Sequence, residues 1–306
     1  MAGLAPDRPD RRLAALLTRC RLPAPGAPLT CAVSGGPDSL ALLVLATAAG
    51  CRVTAVHVDH GLRPGSAEEA DVVAGAARRY GAAFRAERVH VGAGPNLEAR
   101  ARQARWSVLP AETATGHTMD DQAETVLLNL LRGAGLDGLA GMRPGPRHPL
   151  LALRRSDTAG ICAQQGLQPV TDPTNRDPRH LRNRVRHELL PLCSALAGRD
   201  VVPVLARQAA LLAAEAALLD DLAAAVDPVD AAALSAAPLA LARRAARRWL
   251  QGDAEHPPDA AAVTRVLSVA AGERVATDVE PGIHVRRRQG RLVARAGPGD
   301  RGAEVR

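Results

Sequence analysis

The sequence predicts an α/β protein: a doubly wound, mostly parallel sheet with helices on both faces, plus a smaller, mainly helical C-terminal region ending in a short β-element. Three observations predict it. Between about residues 29 and 120, short runs rich in β-formers alternate with helical runs, the order that crossover units of a parallel sheet require. At the first strand-to-helix junction sits the glycine-rich hexapeptide Ser-Gly-Gly-Pro-Asp-Ser, residues 34–39. From about residue 195 the composition turns to alanine, leucine and arginine in helical spacing, which divides the chain into expected domains 1–195 and 196–306.

The elements follow in order. LTCAVS (29–34) and VTAVHVDH (53–60) read as the first two strands, and 84–91 and 112–117 are candidates for two more. Helices fill 38–49, 66–80, 96–109 and 119–132. Glycines and prolines cluster over 133–149 and mark a long loop, with a helical segment next at about 156–165. After DPTNRDP the run RHLRNRVRHELL resumes a helix that Pro191 is expected to end. The last part, from Glu273, reads as three short strands, with Gln289-Gly290 as the turn between the final two.

Composition narrows the function. All 39 basic side chains are arginines, with no lysine in 306 residues, so the lysine-dependent phosphate loop G-x-x-x-x-G-K-[ST] is excluded. The formal charge of +7 favours an acidic partner, and a nucleic acid fits better than a membrane because no uninterrupted apolar run approaches the length of a span. Cysteines 20, 31, 51, 162 and 193 have no C-x-x-C spacing and read as buried thiols rather than metal ligands. The N-terminus lacks the pattern of a signal peptide, and the expected compartment is the cytoplasm.

A strand, a glycine-rich turn and a helix present free N–H groups and the positive end of a helix dipole to an anion. Here Gly35 and Gly36 permit close backbone approach, Ser34 and Ser39 add hydroxyls, Pro37 starts the helix, and Asp38 either holds Mg²⁺ or caps the helix. The same six residues also satisfy a plain capped turn. His57 and Asp59 end the second strand and His117 the fourth, where open α/β sheets bind ligands. Asp121 and Glu124 stand i, i+3 on one helical face, either as ligands or as N-terminal caps. Arg182 and Arg186 share a face four residues apart, while Arg184 points elsewhere. Further on, Arg243 with Arg247 makes a basic stripe suited to phosphates.

The hexapeptide resembles the SGGxDS loop of the ATP pyrophosphatase family, whose members cleave ATP between the α- and β-phosphates and adenylate a substrate oxygen. In order after it come HVDHGLR (57–63), NLEARARQARW (96–106), TGHTMDDQAETVLLNLLRGAGLDGLAGM (115–142), HPLL (148–151), DPTN (172–175) and LRNRVRHELLP (181–191). Together, over about residues 29–192, this set is similar to the tRNA(Ile)-lysidine synthetases. The resemblance implies ATP and Mg²⁺ as cofactors, L-lysine and the CAU-anticodon tRNA(Ile) as substrates, and lysine joined to C2 of the wobble cytidine through an adenylated intermediate.

On that basis Ser34, Gly35, Gly36, Pro37, Asp38, Ser39, His57, Asp59 and His117 are expected at the nucleotide, with Asp38 on the metal side. Asp121 and Glu124 are expected at the substrate lysine, Arg182 at the reacting groups, and Arg184, Arg186, Arg243 and Arg247 on the RNA. A thiolase sharing the loop and a non-catalytic RNA binder are the alternatives. Monomer and homodimer are both left open.

Overall fold

A computed structural model describes residues 11–59, 61, 66–90, 92, 97–170, 177–252, 258–279 and 282–296. His60, Asn96 and the DPTN motif at 172–175 lie outside the described residues. The chain divides into two compact units, Met1–Ala213 and Ala214–Arg306, a division that falls inside one long helix rather than near residue 195.

The first unit begins with α1 (Arg11–Leu17), then β1 (Pro28–Ala32), α2 (Pro37–Ala48), β2 (Arg52–Asp59), α3 (Ser66–Arg79), β3 (Ala83–Arg88) and α4 (Leu97–Val108). The three strands are parallel in the order β1-β2-β3, with Leu29 opposite Val53 and Thr54 opposite Ala83. The fourth expected strand, 112–117, shrinks to one parallel bridge between Cys31 and Ala114. Ala114 accepts from Ala32 N–H at 2.9 Å and donates to Thr30 at 2.8 Å, whereas Val33 N–H bonds Val56 on β2. Backbone groups alternate in direction along a strand, so Ala114 lies on the opposite edge of β1 from β2. The strand order therefore reverses at β1, and the crevice beyond its carboxyl end is where such sheets take ligands.

A physical reason for the short fourth strand follows immediately in the chain. A Cβ on Gly116 would lie 2.6 Å from the Asp38 carbonyl oxygen, so the strand runs into the start of α2 and stops pairing. α2 is buried over Ser39–Ala46, which suits its unbroken apolar sequence, with Leu40, Leu42, Leu43 and Leu45 among the most buried side chains.

Next come α5 (Met119–Leu131), a single helical turn α6 (Leu136–Leu139) inside the expected loop, and α7 (Arg155–Gln164), which packs on α2. α8 (Leu181–Arg184) runs through a π-helical turn, Val185–Leu189, into α9 (Leu190–Ala197). Pro191 therefore does not end the helix. The wide turn bonds Leu190 N–H to the Val185 carbonyl, five residues back, and leaves Pro191 in the first turn of α9, where its missing donor costs nothing. The helix stops instead at Gly198, in the left-handed region at φ 62°.

α10 (Val202–Ala223) carries the division between the units. By length and composition it is apolar enough to cross a bilayer, although Arg207 and Glu215 interrupt it. The second unit continues with α11 (Ala231–Ala236), α12 (Leu239–Gln251) and α13 (Ala260–Ala271), then an antiparallel sheet β4 (Ala276–Val279), β5 (Ile283–Arg288) and β6 (Arg291–Ala296). Its core is mostly alanine and valine, among them Ala245, Val266 and Val285, with Leu234, Leu250 and Leu292. The Gln289-Gly290 turn forms as expected, both residues having positive φ (49° and 77°), the signature of a tight hairpin whose twist matches its strands.

Candidate active site

The hexapeptide forms a loop at the carboxyl end of β1. Gly35 sits at φ 85°, and a Cβ there would meet Val170 Cγ2 at 2.9 Å, so glycine is required twice over. Gly36 is the N-cap of α2 and offers no side-chain cap, so the first N–H groups of the helix stay available. Ser39 turns out to brace the loop: its hydroxyl donates to the Gly36 carbonyl at 2.9 Å and accepts from Ser34 N–H at 3.1 Å. The Ser34 hydroxyl lies 3.3 Å from it.

Asp38 does not cap α2. Its Oδ1 accepts from the Thr158 hydroxyl and its Oδ2 lies 3.7 Å from Arg155 Nε. Burial raises its pKa, opposed by the Thr158 bond, with the nearby Asp121 raising it further. A carboxylate held at such a cost gains from a cation.

Asp121 and Glu124, one turn apart on α5, are buried and meet three arginines. Glu124 is fully buried and accepts four N–H groups: Arg155 Nη2 (3.0 Å) and Arg186 Nε (2.6 Å) on Oε1, Arg182 Nε (2.9 Å) and Arg186 Nη2 (3.0 Å) on Oε2. Asp121 caps α5 with one oxygen and faces the arginines with the other. Its Oδ2 takes the Thr118 N–H and hydroxyl, each at 2.9 Å, while Oδ1 faces Arg155 (3.0 Å), Arg182 (3.3 Å) and Arg186 (3.5 Å). Burial alone would raise the Asp121 pKa, but Arg155, the Thr118 N–H and Arg182 outweigh it and hold the carboxyl below its ordinary value.

Arg155 was not singled out in the sequence, yet it is the only one of the three guanidiniums paired both with the loop aspartate and with the α5 carboxylates. The fold delivers it through backbone pairing: Thr115 N–H bonds the Arg147 carbonyl (2.9 Å) and Met119 N–H the Leu153 carbonyl (2.8 Å), which lays 147–155 along the site. Its neighbour Arg154 anchors the same segment on Asp120 at 3.1 Å.

The other expected residues are placed as follows. His57 is 2% exposed; its Nδ1 donates to the Val33 carbonyl at 3.0 Å, and its buried Nε2 has no partner among the described residues. Asp59 accepts from Gly61 N–H at 2.8 Å at the end of β2. His117 contacts the Thr115 hydroxyl. Arg184 turns away from the cluster to exposed Glu188, at 3.2 Å. Arg243 and Arg247 belong to α12, in the second unit.

A glycine-rich loop at a switch point with free helix N–H groups beside it is built to take the phosphates of a nucleotide. The family model for the PP-loop domain matches residues 9–193, and that for the TilS substrate binding domain matches 230–293. The tRNA(Ile)-lysidine synthase of Nocardia farcinica is 41% identical over 78% of this chain and 80% of its own. That of Mycolicibacterium paratuberculosis is 45% identical over 72% and 73%. The chain belongs to the tRNA(Ile)-lysidine synthase family. The U34-tRNA thiolase NcsA from Methanococcus maripaludis, with its [4Fe-4S] cluster, shares the fold at a TM-score of 0.51 and 18% identity, covering 66% of this chain and 77% of that one.

Proposed function

We propose that this chain uses ATP to join L-lysine to C2 of the wobble cytidine in a CAU-anticodon tRNA(Ile), with AMP and pyrophosphate as products. The observation that carries the reading is the meeting of the phosphate loop and the paired carboxylates in one cluster: Arg155 touches Asp38, Asp121 and Glu124. Such a cluster can bind a polyphosphate and an amine side by side.

The residues fit ATP. Gly35, Gly36 and the uncapped start of α2 offer donors to phosphate oxygens, and the unpartnered His57 Nε2 is an acceptor for a ligand N–H. A magnesium ion would be held by Asp38 together with phosphate oxygens, the usual arrangement for this cation, and would offset charge on the departing pyrophosphate.

In the first step the cytidine C2 oxygen bonds to the α-phosphorus and pyrophosphate leaves; in the second the ε-amine of lysine bonds to C2 and AMP leaves. Arg155, Arg182 and Arg186 supply three positive charges to that chemistry, matched by Asp38, Asp121 and Glu124. Glu124 already fills the roughly four lone-pair positions of a carboxylate. The lysine ammonium therefore gains a place on Asp121 and Glu124 only as a guanidinium leaves it. Arg155 is tied to Asp38 as well, so Arg182 and Arg186, which among the described residues pair only with Asp121 and Glu124, are the two that phosphates draw away. Arg184, Arg243 and Arg247 contribute to RNA binding in this reading.

The thiolase alternative lacks support in the site: the buried cysteines 31, 51 and 162 belong to the apolar core beneath the loop. Incorporation of labelled lysine into an unmodified CAU-anticodon tRNA(Ile) transcript, with ATP and Mg²⁺, tests the proposal. No transfer by folded protein would sink it. Asp38→Ala is expected to abolish pyrophosphate release.

A further inference from the structure

Thr115 was not among the expected site residues, yet its hydroxyl joins two histidines. Thr115 Oγ1 lies 2.6 Å from His117 Nδ1, 2.9 Å from His148 Nδ1 and 3.1 Å from the Arg147 carbonyl oxygen. The two rings stand edge to face with centroids 5.1 Å apart. A hydroxyl has one proton and two acceptor positions. The carbonyl has no proton to give, so Thr115 donates to it. For all three contacts to be hydrogen bonds, both imidazoles donate from Nδ1, which makes each ring the Nδ1–H tautomer with a lone pair at Nε2. Among the described residues no group hydrogen-bonds His117 Nε2.

We propose that His117 is a neutral hydrogen-bond acceptor of the active site, taking an N–H or O–H donor of a substrate at Nε2, and that Thr115 is the positioning residue that fixes this tautomer. The tautomer stands on geometry alone, whereas the identity of the donor rests on the lysine-ligation reading. The surroundings agree with a neutral ring. Burial, foremost, holds the His117 pKa down to about 4; Asp121 pulls it up, while His148, Arg182 and Arg102 push it down. A ring that stays uncharged at pH 7 adds an acceptor near Arg182 and Arg102 without adding a charge. Two sources can supply the donor: the ammonium of the amino acid, or a hydroxyl or exocyclic amine of the nucleotide.

The test starts with ring-nitrogen NMR of the full-length protein, with His117 assigned by its loss in His117→Gln. At pH 7 the His117 Nδ1 should be protonated and Nε2 bare. Thr115→Ser should keep that pattern, and Thr115→Val, which preserves shape but cannot accept a bond, should lose it. In kinetics, His117→Gln sets an oxygen near the Nε2 position, whereas His117→Asn sets its amide near Nδ1 and nothing at Nε2. The Asn variant should therefore raise one KM about tenfold over the Gln variant, the loss of one bond to a substrate. A rise confined to lysine assigns the donor to its ammonium, and one confined to ATP assigns it to the nucleotide. A protonated Nε2 in the parent protein, an unchanged spectrum in Thr115→Val, or equal KM values in the two His117 variants would overturn the proposal. The spectra need no substrate, so they stand or fall apart from the lysine reading.

Discussion

Replacing Glu124 by glutamine tests whether the arginine cluster is held by this carboxylate or merely gathers near it. Glu124 is fully buried and accepts four N–H groups, two on each oxygen. In glutamine one of those oxygens becomes an NH₂. Placed at Oε1, it confronts Arg155 Nη2 and Arg186 Nε; placed at Oε2, it confronts Arg182 Nε and Arg186 Nη2. Either orientation sets donor against donor twice and removes the charge that offsets the guanidiniums. Two charge-assisted bonds lost, at about 1.5–3 kcal/mol each, agree with the roughly 3–5 kcal/mol found when one partner of a buried ion pair is removed. At about 2–4 °C per kcal/mol for a unit of this size, the melting point should fall by about 10 °C. The measurement is urea unfolding by fluorescence in a Trp249→Phe background, where Trp106 reports the first unit alone. Glu188→Gln, at the exposed pair with Arg184, is the control and should change stability by less than about 1 kcal/mol. A loss below about 1 kcal/mol for Glu124→Gln would mean that the three arginines are solvated independently, and the charge-exchange account of lysine binding would fail with it.

Gly116→Ala should raise the KM for ATP and lower stability by about 2 kcal/mol or more, because its Cβ would press on the Asp38 carbonyl at 2.6 Å, where only backbone can give way; equal ATP binding by titration would refute this. The His117 pKa is lower in the folded chain, about 4 against 6.5, so the unfolded ring takes up a proton first as pH falls. Its stabilising contribution is thus complete above pH 6.5 and fades toward pH 4, by roughly 3 kcal/mol in the limit, and His117→Gln should show a flatter stability profile over that window. Arg243→Ala and Arg247→Ala should each weaken tRNA binding and lower the salt slope by about one if they meet phosphates, as filter binding across a salt series would read.

Local features made much of the fold legible. Two glycines between a strand and an apolar helix marked the loop, and the i, i+3 spacing of Asp121 and Glu124 set both carboxylates on one face. Two of the three misses depend on a partner distant in the chain, and the third on a local departure from α-helical bonding. Strand pairing at 112–117 stops because Gly116 meets the α2 backbone, which no local propensity encodes. Pro191 reads as a helix stop until the wide turn at Val185–Leu189 shifts the hydrogen bonding just before it. Arg155 is one of 39 arginines, next to another, and nothing in its own neighbourhood sets it apart; backbone bonds from Thr115 and Met119 bring it in.

That distribution of legible and illegible parts follows the chemistry. Groups that must face a phosphate need special backbone, so they leave glycines in the sequence. Groups that exchange partners during a reaction need only charge and reach, which any arginine has. The cluster's charges already balance, three against three, so a bound polyphosphate makes the site anionic unless a cation enters with it. In the proposed reaction, a magnesium ion beside Asp38 and an ammonium beside Glu124 would be the two cations that restore the balance. On the proposed reading amine binding therefore depends on phosphate binding, because Asp121 and Glu124 open to an ammonium only as Arg182 and Arg186 turn to phosphate.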